Sequence, residues 1–472
     1  MLFNSMLYAI FLPLIFVLYW IIPQKKRWIL LLVGSYYFYM SWNYKYVVLI
    51  FYTTIVSYVA ALLLERTKKK LLKNIILMVT LILCLGVLFI FKYYNFAVGS
   101  LAHIIPYEPH YFKILLPVGI SFYTFQTLSY VIDVYKEDID AEKHFGIYAT
   151  FISFFPQLVA GPIERSSNLL PQIREKHNFD LQNSYYGVRL ILWGLFKKMV
   201  VADNLAVFVD LVYSDIYTYT GGSILIATLF FTIQIYCDFS GYSDIARGSA
   251  KLFGVELMEN FKSPYFSTSV KDFWSRWHIS LSSWFRDYLY IPLGGNRVSQ
   301  IRNCVNVMIT FLLSGLWHGA SWNFVVWGGI HGMAQIYENA FGIKKTADNA
   351  PFTFIRRIVV FSFVAFAWIF FRVENIHQGF YAVSSMLKGI SHPIIYLGEG
   401  FSAIGVHRDF LPHLVLYFIP LLVFDFVSLK KDIILWIGTK GAVVRHGYVI
   451  LMVFLLLFYG YIGESTFVYF QF

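Results

Sequence analysis

Long apolar stretches broken by short basic runs set the pattern of the chain from its first residues. Met6–Ile22 is apolar, has no basic leader ahead of it and is followed by Lys25-Lys26-Arg27. It therefore reads as an uncleaved span with the three basic residues inside and the N-terminus outside. Trp28–Trp42 crosses out, residues 43–45 turn the chain, and Tyr46–Leu64 returns to a basic run at Arg66 and Lys68-Lys69-Lys70. Asn74–Phe96 then leads outward to a loop, His103–Lys113, with Pro106 and Pro109 as breakers. Leu115–Tyr135 returns, and Pro117 and Gly119 predict an irregular helix, which a membrane interior tolerates only under protein cover or beside a cavity.

Phe145–Gly161 is apolar but basic or charged on both flanks, which fits a re-entrant or interfacial piece rather than a span. Tyr186–Tyr213 goes out, with Lys197-Lys198 in mid-segment to snorkel or line a cavity, and Ile224–Asp238 comes back. The interval Ser240–Cys304 is polar and rich in Lys and Arg, which fixes it on the cytoplasmic side. Within it FWSRWHISLSSWFRDYLYIPLGG interleaves Trp274, Trp277, Trp284, Phe285 and Tyr288 with charges, the pattern of short helices lying in the interface. Phe311–Gly332 follows as two spans hinged near Gly319 to Trp322; Ile358–Phe371 goes out, Val373–His413 is external, Leu414–Val427 returns and Tyr448–Gly463 goes out again. The sum is an all-α polytopic membrane protein of about a dozen spans, at ~20 residues per span, with both ends external.

Composition supports that class and removes others. Hydrophobic residues make up 58% of the chain, charged residues 14%, and the mean hydropathy is +0.61, values foreign to a soluble domain. The net charge of +11 sits in short loops between apolar segments, as orientation in a membrane requires, so nucleic acid is not an expected partner; lipids are. Cys84, Cys237 and Cys304 lie far apart and make no metal, redox or disulfide pattern. No internal repeat is visible, which weighs against a transporter.

His318, in FLLSGLWHGASWNFVVWGGIHG, is an ionisable group inside an apolar run and so a candidate site. The alternative is a neutral imidazole bonded between packed helices. His278 is the second candidate base, since an imidazole can take and return a proton near neutral pH; a plain interfacial histidine is as good a reading for it from spacing alone. His331, thirteen residues beyond His318, falls on another face of a continuing helix and is given a secondary role at most. No close-spaced histidine pair supports a metal site.

The blocks WSRWHISLSSWFRDYLYIPLGG and LLSGLWHGASWNFVVWGGIHG resemble the signature blocks of the membrane-bound O-acyltransferases (MBOAT). With LLPVGISFYTFQTLSYVIDVY and FISFFPQLVAGPIER they are similar to its bacterial branch of alginate O-acetylation and teichoic acid D-alanyl transfer proteins, from about Leu115 onward. The resemblance implies one membrane domain over 1–472: N-terminal helices 1–114, a catalytic core 115–446, and a final span with its tail, 447–472. It implies opposed cytoplasmic and external funnels, His318 as the catalytic histidine and His278 as the second essential one, with Trp317 beside them as a secondary candidate. The ending Phe467-Val468-Tyr469-Phe470-Gln471-Phe472 is similar to the F-x-Y-x-x-F tail of polysaccharide-acetylating members, which implies that Tyr469 is transiently acylated. Without the resemblance, aromatics packed at the interface would be the simpler reading of that tail.

The expected function is therefore transfer of an acetyl group from a cytoplasmic donor, acetyl-CoA, across a bacterial cell membrane to a surface polysaccharide. An extracytoplasmic hydrolase-like (SGNH-type) acetyltransferase partner would receive it. Arg276 and Arg286 are candidates for donor phosphates, though arginines beside a membrane more often meet headgroups. The rivals are D-alanyl transfer to teichoic acid and, in another class, a polysaccharide flippase with His318 as a gate. Lys197-Lys198 and the external segment Glu399 to Asp409 receive no role.

Overall fold

The computed structural model describes residues 1–159, 161–343, 350–463 and 467–468, with backbone only at 350 and 408. All regular structure among them is helical. Six stretches are long and apolar enough to cross a membrane: Gln24–Arg66, Lys70–Ala102, Gly222–Leu252, Pro351–Arg372, Leu411–Ser428 and Ala442–Tyr459. The first of these holds two helices, Arg27–Asn43 and Val47–Arg66, joined by a 3₁₀ turn. Other expected crossings fall on shorter helices such as Met6–Ile21 and Ile120–Tyr135.

The helices are apolar outside and polar or small inside. Val47–Arg66 buries Thr53, Thr54, Ser57, Ala60 and Ala61 while exposing Val48, Phe51, Val59 and Leu63. Lys70–Leu88 buries only Thr80, Cys84 and Leu88 and exposes Ile75, Met78, Val79 and Ile82. In water such a surface would associate; in lipid it is the stable arrangement, because small residues let helices approach and hydroxyls find carbonyls within the bundle.

The chain divides into two compact units, Met1–Ile191 with Tyr242–Glu259, and Leu192–Gly241 with Asn260–Phe472. In the first, Tyr148 donates to Ser57 Oγ at 2.6 Å, the Phe155 N–H donates to Ser35 Oγ at 3.0 Å, and Glu142 pairs with Arg174. Residues 145–158 form two short buried helices, Phe145–Ser153 and Phe155–Leu158, in place of one crossing, as their flanking charges predict. Pro117 and Gly119 do not bend a helix; the helix starts after them at Ile120, with Gly119 at φ +75° because a Cβ there would meet the Leu158 carbonyl at 2.6 Å.

The helix expected to end at Asp238 continues to Leu252, through the start of the expected polar loop. Ser240, Gly241, Ser243 and Gly248 look like loop residues in sequence, yet they are helical because small side chains sit where backbones touch. A Cβ at Gly248 would lie 2.6 Å from the Gly187 carbonyl, and one at Gly241 would lie 2.8 Å from that of Gly194.

In the second unit the central feature is a hairpin of Gln300–His318 and Trp322–Ala340. Phe311–Gly332 is therefore the two inner halves of longer helices around a turn at 319–321, where the hinge was expected. Ser299 caps the first helix through the Arg302 N–H at 3.4 Å. The two helices meet through glycines: a Cβ at Gly315 would lie 2.2 Å from the Phe324 carbonyl, and one at Gly328 would lie 2.2 Å from that of Phe311. The tip is tied down by Asn323, whose amide donates to the Phe370 and Val373 carbonyls at 3.1 and 2.8 Å. Gly328→Ala should lower stability by ~1–3 kcal/mol, the usual cost of overpacking, seen as a drop of several degrees in the thermal transition of detergent-solubilised protein. Gly329→Ala, whose Cβ would meet only Leu312 at 3.6 Å, should leave the transition in place.

Candidate active site

His318 is the last residue of its helix because Gly319 adopts an extended conformation and a side chain there would strike the Phe324 ring at 2.1 Å. The imidazole is 3% exposed and stands edge-on to Trp327, centroids 5.1 Å apart, with Phe371 at 5.4 Å and Trp317 at 5.0 Å. The aromatics keep bulk water and lipid away from it.

His278 comes from the segment before the hairpin. Glu338 on the second hairpin helix accepts the N–H groups of Val270 and Lys271 at 2.6 and 2.9 Å, fastening that segment to the hairpin. His278 then sits at φ +44°, ψ +54°, a left-handed conformation that a non-glycine residue keeps only when its surroundings impose it. Asn260 imposes it. Its carbonyl accepts from Ile279 N–H at 3.0 Å, and its side-chain oxygen accepts from the Ser280 N–H and hydroxyl at 3.0 and 2.8 Å and lies 3.4 Å from His278 Nδ1. Phe239 stands edge-on to the ring, centroids 4.6 Å apart. The two imidazoles lie side by side with centroids 6.3 Å apart, and Trp317 contacts both.

Burial disfavours the imidazolium, and it holds His278 at a pKa of about 3 against an ordinary 6.5. The ring is neutral at physiological pH. It can accept or relay a proton through a hydrogen bond but does not hold a resting positive charge.

A cavity of about 740 Å³ is lined by Trp274, Phe285 and Phe311 together with Lys271, Arg286 and Gln335, and reaches Ser314, one helical turn before His318. Arg286 borders it and pairs with Asp287 at 2.7 Å. Arg276 lies outside the lining and is spent on Asp272, at 3.0 Å, and the Lys262 carbonyl. His331 is separated from His318 by the Trp327 indole, each ring being about 5 Å from it; its Nδ1 accepts from Trp274 Nε1 at 3.3 Å.

Residues 467–468, the described part of the expected tail, lie beside Phe239. Phe467 and Val468 are 0% and 3% exposed, the Phe467 ring contacts Phe239 at 5.7 Å, and the Val468 N–H donates to Asp238 Oδ2 at 2.7 Å. Tyr469 lies outside the described residues. Lys198 is buried, bonded at 2.7 Å to both Asp203 and Asp238; Lys197 is buried too, on Ser240 Oγ at 2.9 Å. Sequence reasoning missed Asn260, Phe239 and Asp238. Asp238 had a signal, an acid in an apolar segment with a lysine in another; Asn260 and Phe239 had none.

A helical membrane fold with two adjoining buried histidines near a cavity is the setting of a candidate site. The comparisons say of which family. Residues 143–383, just over half of the chain, match the membrane-bound O-acyltransferase (MBOAT) family. The chain is 40% identical to a probable alginate O-acetylase AlgI of Azotobacter vinelandii, over 82% of this chain and 78% of that one. It is 32% identical to the peptidoglycan O-acetyltransferase of Helicobacter pylori, over 100% and 98%, and 27% identical to the teichoic acid D-alanyltransferase of Bacillus subtilis, over 59% and 74%. The chain belongs to the MBOAT family: it is an integral membrane acyltransferase.

The neutral state of His278 has a measurable consequence. Between pH 6.5 and about 3 the unfolded chain binds a proton there that the folded chain excludes, so stability falls as pH falls through that window. The slope approaches ~1.4 kcal/mol per pH unit for one such group. His278→Gln should flatten it, read as a smaller loss of thermal stability from pH 7 to pH 5 than the parent protein shows.

Proposed function

We propose that the protein moves an acetyl group from acetyl-CoA, on the cytoplasmic side, to a tyrosyl carrier on the outer side of a bacterial cell membrane, for O-acetylation of an exported polysaccharide. The observation that carries this reading is convergence: a cavity reaches Ser314, one turn short of His318, while the buried Phe467 packs on Phe239, which touches His278. In this reading the cavity is the cytoplasmic funnel, the chain makes about twelve crossings, and both termini are external.

The chemistry follows from these groups. His318 takes the phenolic proton of Tyr469, and the phenolate oxygen attacks the thioester carbonyl of the donor. The carbon–sulfur bond breaks, coenzyme A leaves as a thiolate, and the proton on His318 goes to that sulfur. An acetyl tyrosyl ester remains. A phenol, with a reference pKa of ~10, is a far better leaving group than an alcohol, so the ester keeps much of the thioester's transfer potential. His278, neutral and fixed by Asn260, orients the reacting groups by hydrogen bonding. The acyl group then passes to a polysaccharide hydroxyl, directly or through an extracytoplasmic SGNH-hydrolase-like partner.

Acetyl is favoured over D-alanyl because the O-acetylating relatives are more similar over more of the chain than the D-alanyltransferases. A flippase would form no covalent adduct. With acetyl-CoA supplied and acceptor withheld, intact mass spectrometry of the C-terminal peptide should find one acetyl group on Tyr469. His318→Ala should reduce its rate of formation by ~10²–10⁴, the usual contribution of a general base, with insertion and folding retained. An unmodified tail in the parent protein would overturn the carrier role. Arg286→Ala should raise the KM for acetyl-CoA several-fold at unchanged kcat, whereas Arg276→Ala should act on stability.

A further inference from the structure

The Lys198, Asp203 and Asp238 cluster is the strongest feature that the reaction scheme leaves unused. All three side chains are under 5% exposed, and the ammonium is bonded at 2.7 Å to a carboxylate oxygen of each acid. Lys197 and Lys198 are both buried because residues 196–202 form a wide π turn in an otherwise α-helical rod. Such turns occur often at functional sites, and they leave backbone carbonyls without their usual partners.

Two of those features hold the C-terminal segment. The Met199 carbonyl accepts the Tyr461 N–H at 2.9 Å, and Asn204, just past the turn, donates to the Tyr459 carbonyl at 2.9 Å, capping the last helix. Farther along, Asp238 uses one carboxylate oxygen on Lys198 and the other on the Val468 N–H, at 2.7 Å. Here Phe467 and Val468 are buried and tied by a charge-assisted bond.

We propose that Asp238, oriented by Lys198 and Asp203, is the positioning residue that docks the C-terminal tail and thereby sets where Tyr469 can reach. The assignment rests on the acyl-tyrosine reading only for what Tyr469 does once placed; the docking itself is a contact between described residues. A cluster serving only to staple two helices would need Lys198 and the two acids but not the Val468 N–H. Asp238 spends its second oxygen on the tail. The bond is to main chain, so it fixes the tail's depth without reading its side chains, and consecutive Cα atoms are only ~3.8 Å apart. Val468 is the residue immediately before Tyr469 in the chain.

The test separates docking from chemistry. In purified full-length protein with Cys304→Ser, which removes the one cysteine that is not buried, Thr466→Cys reports on the tail through its rate of reaction with a bulky maleimide. Asp238→Asn and Val468→Pro should each raise that rate by roughly 10-fold or more, as expected for loss of a hydrogen bond to a charged group. The double variant should react no faster than the faster single variant, because both remove one bond. Both should slow acetylation of Tyr469 by a similar factor. Val468→Pro lies in the tail and leaves the buried cluster whole, so it tests the docking even where Asp238→Asn fails to fold. A labelling rate unchanged by Val468→Pro, or effects that multiply in the double variant, would overturn the proposal. If labelling responds as expected but Tyr469 never carries an acetyl group, the docking stands and the carrier role falls; an adduct with indifferent labelling sinks the docking alone.

Discussion

Charge and polarity buried in an apolar surround must be satisfied by groups already in place, since neither lipid nor a dry core can supply them. That constraint organises the second unit. Lys198 is tolerable only between Asp203 and Asp238, and the bond to the Val468 N–H joins residues 467–468 to the same cluster. His278 is tolerable only as a neutral ring, and Asn260 meets both that ring and the backbone around it. Neighbouring residues of one helix thus meet a buried charged cluster and a buried neutral ring, Asp238 bonding Val468 and Phe239 touching His278.

The hairpin supplies the rigidity that such a site needs. Glycines at 315 and 328 bring the two helices into backbone contact, so His318 at the end of one is fixed against Trp327 on the other. Glu338 and Asn323 fasten the neighbouring segments to the same hairpin. A base presented from packed helices holds its geometry better than one on a loop. The cavity runs beside the first helix from Asn303 to Ser314, one turn before His318.

Much of this was legible in the residues. Hydropathy and basic loops gave the membrane class, and the turn at Gly319 to Trp322 fell where the small residues predicted. Helix ends were less legible. Gly222–Leu252 outruns its apolar core, because Ser and Gly within a bundle mark backbone contact and not a loop. Among the described residues six stretches have the length and apolarity of spans, against a dozen expected. The secondary candidates separated for packing reasons: Arg286 borders the cavity, Arg276 is held by Asp272, and His331 is walled off by Trp327.

By itself the sequence determined the membrane class, the family resemblance and His318 as an ionisable group in an apolar run, because each depends on composition or local order along the chain. Only the tertiary structure decided that His278 stands beside it, that Asn260 holds His278 in a strained backbone, and that Lys198 and Asp238 meet at the tail. Those facts depend on which segments touch. Pairings between distant helices are set by shape and by the demand that every buried polar group find a partner, and neither is written in the spacing of residues.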